Sequence, residues 1–333
     1  MKIKGICYDT GTGFTPKYFS RDKLTAKSTR KEIEMIRTEL NCNAVRIYGD
    51  RIDRLILCSK IAFDNNLEVW ISPRFVDKTE EETLKLTGEC AKQAERLRKL
   101  NSELVLVIGN ELTLDMKGLL SGETAQKRVQ YLWQCKDRDT LELIEERLGN
   151  SNELLNQFLE KLVPYVRNFF KGKITYAASN WEQVNWDLFD IIGLNRYLPK
   201  SEEEKLIKEL SKLKELGKPI AITEFGSESY AGVFDKGPGR CDPVDWKNFE
   251  IKEGFKRSEK EQADYIKYDL ELFENEGIFA TFVYTFIEPL YTYSENPKKD
   301  LDIGGCNVVR VYLDGHIEPK ESFKVISNFY KNH

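Results

Sequence analysis

The sequence predicts an α/β protein of the (β/α)8 TIM barrel class, on three observations. Eight short apolar runs recur along the 333 residues. A longer segment with helical periodicity or helix-prone composition follows almost every run. The runs are continuous in hydrophobicity rather than alternating, the pattern of parallel strands covered on both faces. No break in composition marks a second domain, so residues 1–333 are read as a single barrel domain.

The first run is IKGICYD, from Ile3. It passes through DTGTGF to a helix with Ser28 as its expected N-cap and Ile33, Ile36 and Leu40 at helical spacing. The second, NAVRIYGD from Asn43, leads to a helix carrying Ile52, Leu55 and Ile56, with Asp50 as its cap. The third, EVWISPRF from Glu68, precedes a charged, helix-prone segment from Thr79 to Leu100. The fourth, LVLVIGNE from Leu104, opens a long connection, Leu112 to Asn150, expected to hold a helix of its own before the helix of Ser151 to Phe170. The fifth, ITYAASN from Ile174, is followed only by a short helical stretch around Trp181 to Leu188. The sixth, DIIGLNRY from Asp190, precedes a helix over Ser201 to Leu216. The seventh, IAITEFG from Ile220, opens a second long connection, Ser227 to Arg257, rich in Gly, Pro and aromatics. Ser258 then starts a helix that buries Ile266, Leu270 and Phe273. The eighth run is ATFVYTF from Ala280, and a last helix follows Pro319. A doubly wound open sheet is the main rival, but it usually has fewer strands and a fuller phosphate loop than DTGTGF. In a barrel, both long connections lie on the face that carries chemistry.

Composition narrows that chemistry. The 51 basic and 55 acidic residues leave a charge of −4, which gives no electrostatic footprint for nucleic acid or an anionic membrane. The start, MKIKGICYD, lacks the apolar core of a signal peptide, and the longest apolar stretch, IFATFVYTFI, has the length of a core strand. Seven cysteines without CxxC spacing read as reduced thiols in a cytoplasmic protein. Only His316 and His333 are present, which almost excludes a multi-histidine zinc site. Carboxylates, Tyr, Arg, Lys or Cys must do the work.

The C-terminal ends of all eight barrel strands meet on one face. Tyr8, Asp9, Arg46, Tyr48, Arg74, Asn110, Glu111, Asn180, Trp181, Asn195, Tyr197, Glu224 and Glu288 fall there, with Asp50 just beyond. Strands four and seven lie roughly opposite each other, so Glu111 and Glu224 can point at one substrate bond. Glycosidic cleavage needs one carboxyl group to protonate the leaving oxygen and a second to attack, or to activate water at, the anomeric carbon. Plainer readings exist for each residue. Glu111 can cap the next helix, Asn110 can be a turn residue, and Arg46 can pair with Asp50 or Asp9. Tyr197, Trp181, Trp186 and Trp246 can be packed aromatics. Glu288, before Pro289, can be structural. The Asp-Thr-Gly of YDTGTG matches an aspartic-protease triplet, but that chemistry needs two such aspartates and no second copy exists.

The Asn-Glu ending run four and the Glu ending run seven resemble the retaining (β/α)8 glycoside hydrolases of clan A. The resemblance implies Glu111 as acid/base, Glu224 as nucleophile and Asn110 as a contact to the sugar 2-hydroxyl. It also implies that Arg46 of VRIYG and Tyr197 of LNRY support the nucleophile. Asn195, Trp181, Asp9, Tyr284 and Glu288 are the remaining candidates for binding or supporting the substrate. NVVRVYLDGHIEPKESF is similar to the hairpin and helix start that close such barrels. Two departures stand out. Tyr284 or Phe286 occupies the strand-eight position that is often Trp, and SPRF offers Arg74 and Phe75 where a substrate-binding His is common. The chain also resembles uncharacterised bacterial proteins labelled abortive infection protein, which names a phenotype. The expected activity is hydrolysis, with retention, of a small glycoside or glycoconjugate. No metal or organic cofactor is expected, and the expected partner is a small-molecule carbohydrate rather than nucleic acid or membrane. One alternative is a barrel that holds Mg²⁺ on Asp9, Glu111, Glu224 and Glu288. Another is a barrel that binds a ligand or partner without turnover, in phage defence.

Overall fold

The eight apolar runs form eight parallel strands: β1 (Ile3–Asp9), β2 (Ala44–Gly49), β3 (Glu68–Pro73), β4 (Leu104–Asn110), β5 (Lys173–Ala177), β6 (Ile192–Asn195), β7 (Ile220–Phe225) and β8 (Ala280–Val283). The computed structural model describes residues 1–15, 18–100, 103–132, 141–239 and 243–333. Two of the seven cysteines, Cys135 and Cys241, lie outside the described residues. Hydrogen bonding runs in the order β5-β4-β3-β2-β1-β8-β7-β6. The two ends of this sheet meet at Ala178, whose N–H donates to Gly193 O at 3.0 Å and whose carbonyl accepts from Asn195 N at 2.7 Å. The sheet therefore closes on itself as a (β/α)8 barrel.

Closure sorts side chains by parity. In β1, Cys7 faces the interior while Ile6 and Tyr8 face the helices; in β2, Ala44 and Tyr48 face inward and Val45 and Ile47 outward. Trp70 and Phe282, with ring centroids 4.8 Å apart, belong to the interior cluster. Gly5 makes room for them, since a Cβ there would sit 2.4 Å from the Phe282 ring. Parity also corrects one expectation. Tyr8 leaves the mouth and donates its hydroxyl to Glu32 of the first helix at 2.5 Å.

The alternation breaks at two places, and both matter. Along β4 and β5, Val107 pairs with Thr175 and Asn110 with Ala177, so three steps on β4 oppose two on β5. Along β6 and β7, Leu194 pairs with Ile222 and Asn195 with Glu224, so β7 again carries an extra residue. Strict alternation would put Asn110 with Leu106 and Ile108, and Glu224 with Ile222, against the helices. Each bulge reverses the face that follows it and turns these residues into the barrel.

The helices follow the predicted runs, with two corrected caps. Thr25, not Ser28, is the N-cap of the helix Ala26–Thr38; Ser28 is its reciprocal partner in a capping box. Arg51 occupies the cap position of the helix Ile52–Asp64, and Asp50 instead accepts from Gly13 N at 2.8 Å. Thr79 and Ser258 cap Glu80–Arg98 and Glu259–Asn275 through their hydroxyls. The connection after β4 contains described helices at Leu112–Asp115, Ala125–Leu132 and Leu141–Leu148, before Ser151–Arg167. After β5 there is a single 3-10 turn, Trp186–Leu188. Glu203–Lys214 and Glu321–Asn332 complete the outer layer. The described cysteines, Cys7, Cys42, Cys58, Cys90 and Cys306, are free thiols. Among the described residues, no helix is long and apolar enough to cross a membrane.

Candidate active site

Strand β4 stops at Asn110 because Glu111 adopts a left-handed backbone, φ 43° and ψ 49°, before the four-residue helix Leu112–Asp115. A non-glycine residue rarely takes this conformation, and it persists only where surrounding contacts hold it. Glu111 stands at the N-cap position of that helix, yet its carboxylate makes no capping bond. The turn presents Asn110 and Glu111 together to the mouth.

Arg46 is the hub beneath them. It is 1% exposed, and its Nη1 donates to Glu224 Oε1 at 2.5 Å and to Thr223 O at 3.2 Å. Its Nη2 donates to Ser72 Oγ at 2.9 Å and to Asn110 Oδ1 at 2.7 Å. The other oxygen of Glu224 accepts from Tyr197 OH at 3.0 Å. Asn195 Nδ2 donates to Asn110 Oδ1 at 3.2 Å and to Glu111 Oε1 at 3.0 Å, while Asn195 Oδ1 accepts from Thr223 Oγ1 at 2.8 Å. Asn110 Nδ2 is buried without a hydrogen-bond partner. Arg46 thus pairs with Glu224 rather than with Asp9 or Asp50. Asp9 accepts from Gly11 N at 2.8 Å through one oxygen.

The two glutamates have different surroundings. Burial, and then the charge of Glu224, push the Glu111 carboxyl above its ordinary pKa; Arg74, Asn195 and Ser179 oppose the rise. Glu224 sits between two donors, and Tyr197 stays a phenol because burial and the Glu224 carboxylate push its pKa well up. A carboxylate gripped by two donors beside a carboxyl biased toward its protonated form is the arrangement that separates nucleophile from acid. Elsewhere at the mouth, burial raises Glu288 to about 8 despite its bond from Cys306 N at 2.7 Å. Burial also raises Asp9 to about 6. Arg74 pairs with Asp115 at 2.7 Å and lies 5.0 Å from the Phe14 ring centroid.

A cavity of about 930 Å³ opens above this network. Asp9, Glu111, Trp181, Asn195, Tyr197, Glu224, Tyr284 and Glu288 all line it, and Arg46 and Asn110 brace its floor through the bonds just described. Both long connections contribute walls, Leu114, Val129 and Ile144 after β4 and Pro238 and Trp246 after β7. Tyr284 is the strand-eight aromatic at the mouth; it stacks on Tyr48 at 5.5 Å and meets Tyr197 edge-on at 6.4 Å. Phe286 and Phe75 are buried, and Trp186 packs against Phe189 in the core. Gly226, at φ +154°, lets the β7 and β8 ends approach, since a Cβ there would sit 2.3 Å from Tyr284 O.

Some residues of the site escaped the sequence reading. Ser72 and Thr223 lie two positions beyond the inward-facing Trp70 and Ala221, so strand parity was the available signal. Glu182, in the loop after β5, carries no periodic signal. The four carboxylates of the magnesium alternative do not gather. Among the described residues, no three His, Cys, Asp or Glu side chains stand close enough to hold a metal ion.

The model of Glycoside Hydrolase Family 113 matches residues 150–302. None of the curated proteins matches the chain in sequence. Among solved structures, a family 113 β-1,4-mannanase superposes with a TM-score of 0.63 at 16% identity over 100% of both chains. The family 113 β-mannanase of Alicyclobacillus acidocaldarius in complex with ManMIm gives 0.59 at 14% identity, over 99% of this chain and 97% of that one. The family 1 β-glucosidase of Thermotoga maritima gives 0.60 at 13% identity, also over 99% and 97%. At these identities the likeness is one of fold.

Proposed function

We propose that this chain, a glycoside hydrolase of the retaining clan A type, cleaves its substrate by double displacement, with Glu224 as nucleophile and Glu111 as acid and then base. One observation carries the assignment. The Glu224 carboxylate is gripped by Arg46 and Tyr197, while Glu111, from another strand end lining the same cavity, is biased toward its protonated form. In the first step Glu224 attacks the anomeric carbon, and Glu111 gives its proton to the departing oxygen. In the second, Glu111 takes a proton from water, which displaces Glu224 from the glycosyl-enzyme. Asn110 Nδ2, buried and unpartnered, suits a sugar hydroxyl beside the reacting carbon. Tyr284, Trp181 and Trp246 offer ring faces to the sugar, and Asp9, Asn195, Arg74 and Glu288 offer polar contacts.

The substrate reading is a small glycoside or glycoconjugate. The likeness to β-1,4-mannanases makes β-mannosides the first candidates. Free thiols at every described cysteine favour a cytoplasmic location. The whole chain, 1–333, is read as one domain.

Stereochemistry tests the mechanism. Proton NMR of the first product formed from β-1,4-mannotriose or 4-nitrophenyl β-mannoside should show the β-anomer before mutarotation. An initial α-anomer would mean a single displacement and overturn the nucleophile assignment. A pH profile gives an independent check. The folded pKa of Glu111 is raised, and its protonated form is the active one for the first step. Therefore kcat/KM should hold below that pKa and fall as pH rises through it. Glu111→Gln should lose this alkaline limb.

A further inference from the structure

We propose that Glu182 is a positioning residue for Glu111, a buried carboxylate that gathers the backbone after Glu111 and so locks the left-handed turn at the end of β4. The inference rests on the assignment of Glu111 given above. Glu182 Oε1 accepts from Thr113 N at 3.0 Å and from Thr113 Oγ1 at 2.7 Å, and Oε2 accepts from Ser179 N at 3.1 Å. Tyr176 OH lies 3.0 Å from both oxygens. That hydroxyl itself accepts from Leu112 N at 2.8 Å, so its own proton goes to Glu182. Thr113 Oγ1 accepts from Trp181 Nε1 at 3.0 Å and likewise donates onward. Four donors therefore converge on one group, and only a carboxylate is acceptor-only. The two backbone N–H groups that follow Glu111 both end on it, one directly and one through Tyr176. Glu182 does not line the cavity and takes no part in bond breaking.

Glu182 faces Glu111 and Tyr176. Glu111 faces Glu224 from β7, Arg74 beyond β3, Tyr176 from β5 and Glu182. Burial first, with the Glu111 charge adding to it, raises Glu182 to about 7.

The test uses the full chain and two substrates, β-1,4-mannotriose, whose leaving sugar needs acid assistance, and 4-nitrophenyl β-mannoside, whose leaving group needs little. Tyr176→Phe keeps the carboxylate but cuts its link to Leu112, and should lower kcat about tenfold on the mannotriose and less on the aryl glycoside, with KM little changed. Glu182→Gln replaces one acceptor oxygen by a donor and should show the same split between the substrates. Equal losses on both substrates in folded Tyr176→Phe, or wild-type rates on both, overturn the proposal whether or not Glu182→Gln folds. Normal turnover of the mannotriose by Glu111→Gln would sink the acid/base assignment instead.

Discussion

Glu224→Ala is expected to lower kcat/KM by about 10,000-fold or more, the scale on which removal of a nucleophile acts. The substitution deletes the group that attacks the anomeric carbon. It also strips Arg46, a buried cation, of its counter-ion at 2.5 Å. Breaking such a buried pair costs about 3–5 kcal/mol of stability, so the melting temperature should fall as well. Glu224→Gln separates the two effects. Its amide oxygen still accepts from Arg46, so the fold should survive while the rate does not. Azide added to Glu224→Ala should restore turnover and release a glycosyl azide of inverted configuration, because the small anion takes the place of the missing carboxylate. Near-normal rates on a good substrate would remove Glu224 from the nucleophile role.

Glu111→Gln should behave differently, and the contrast identifies its role. On a substrate with a sugar leaving group, the loss of acid assistance should slow turnover by about 100- to 10,000-fold. On a dinitrophenyl glycoside the first step needs no proton, so the glycosyl-enzyme should build up and its hydrolysis become rate-limiting. Azide should then accelerate turnover, and the glycosyl azide should retain configuration, opposite to the Glu224→Ala product. The glutamine keeps the acceptor for Asn195 Nδ2, so the site geometry should persist. Equal losses on both leaving groups would assign Glu111 a structural role.

The barrel was legible because its strands announce themselves as apolar runs and its helices as periodic ones. So were Tyr197 and Glu224 at the strand ends and Arg46 within β2. What the sequence did not disclose is which face each strand-end residue takes. Tyr8 and Asp9 are neighbours in sequence, yet one packs on Glu32 and the other lines the cavity. Asn110 and Glu224 reach the interior only through bulges, and no residue type in LVLVIGNE or IAITEFG marks an extra residue in the ladder. Caps misled by three residues or less, since Ser28 and Thr25 offer the same hydroxyl chemistry and only the backbone decides between them. Glu182 stayed hidden because its importance comes from the turn after β4, whose Thr113 and Leu112 the fold alone brings to it.

The seam at Ala178 has a mechanical consequence. Seven junctions of the ring are runs of paired strand residues, whereas β5 and β6 meet at an isolated bridge, assisted lower down by Asp190 N to Ile174 O at 3.1 Å. A hoop with one weak joint behaves like a split ring and yields first at the gap. Asn195 lies on one lip of that gap and Ser179 and Glu182 on the other, and β4 with Glu111 and β7 with Glu224 each stand one strand back from it. Arg46, on β2 across the ring, bonds both Glu224 and Asn110 and so ties the two sides together. Accommodating a bulkier ligand should therefore widen the ring at this joint, between the strands that carry the two glutamates, against the restraint of Arg46.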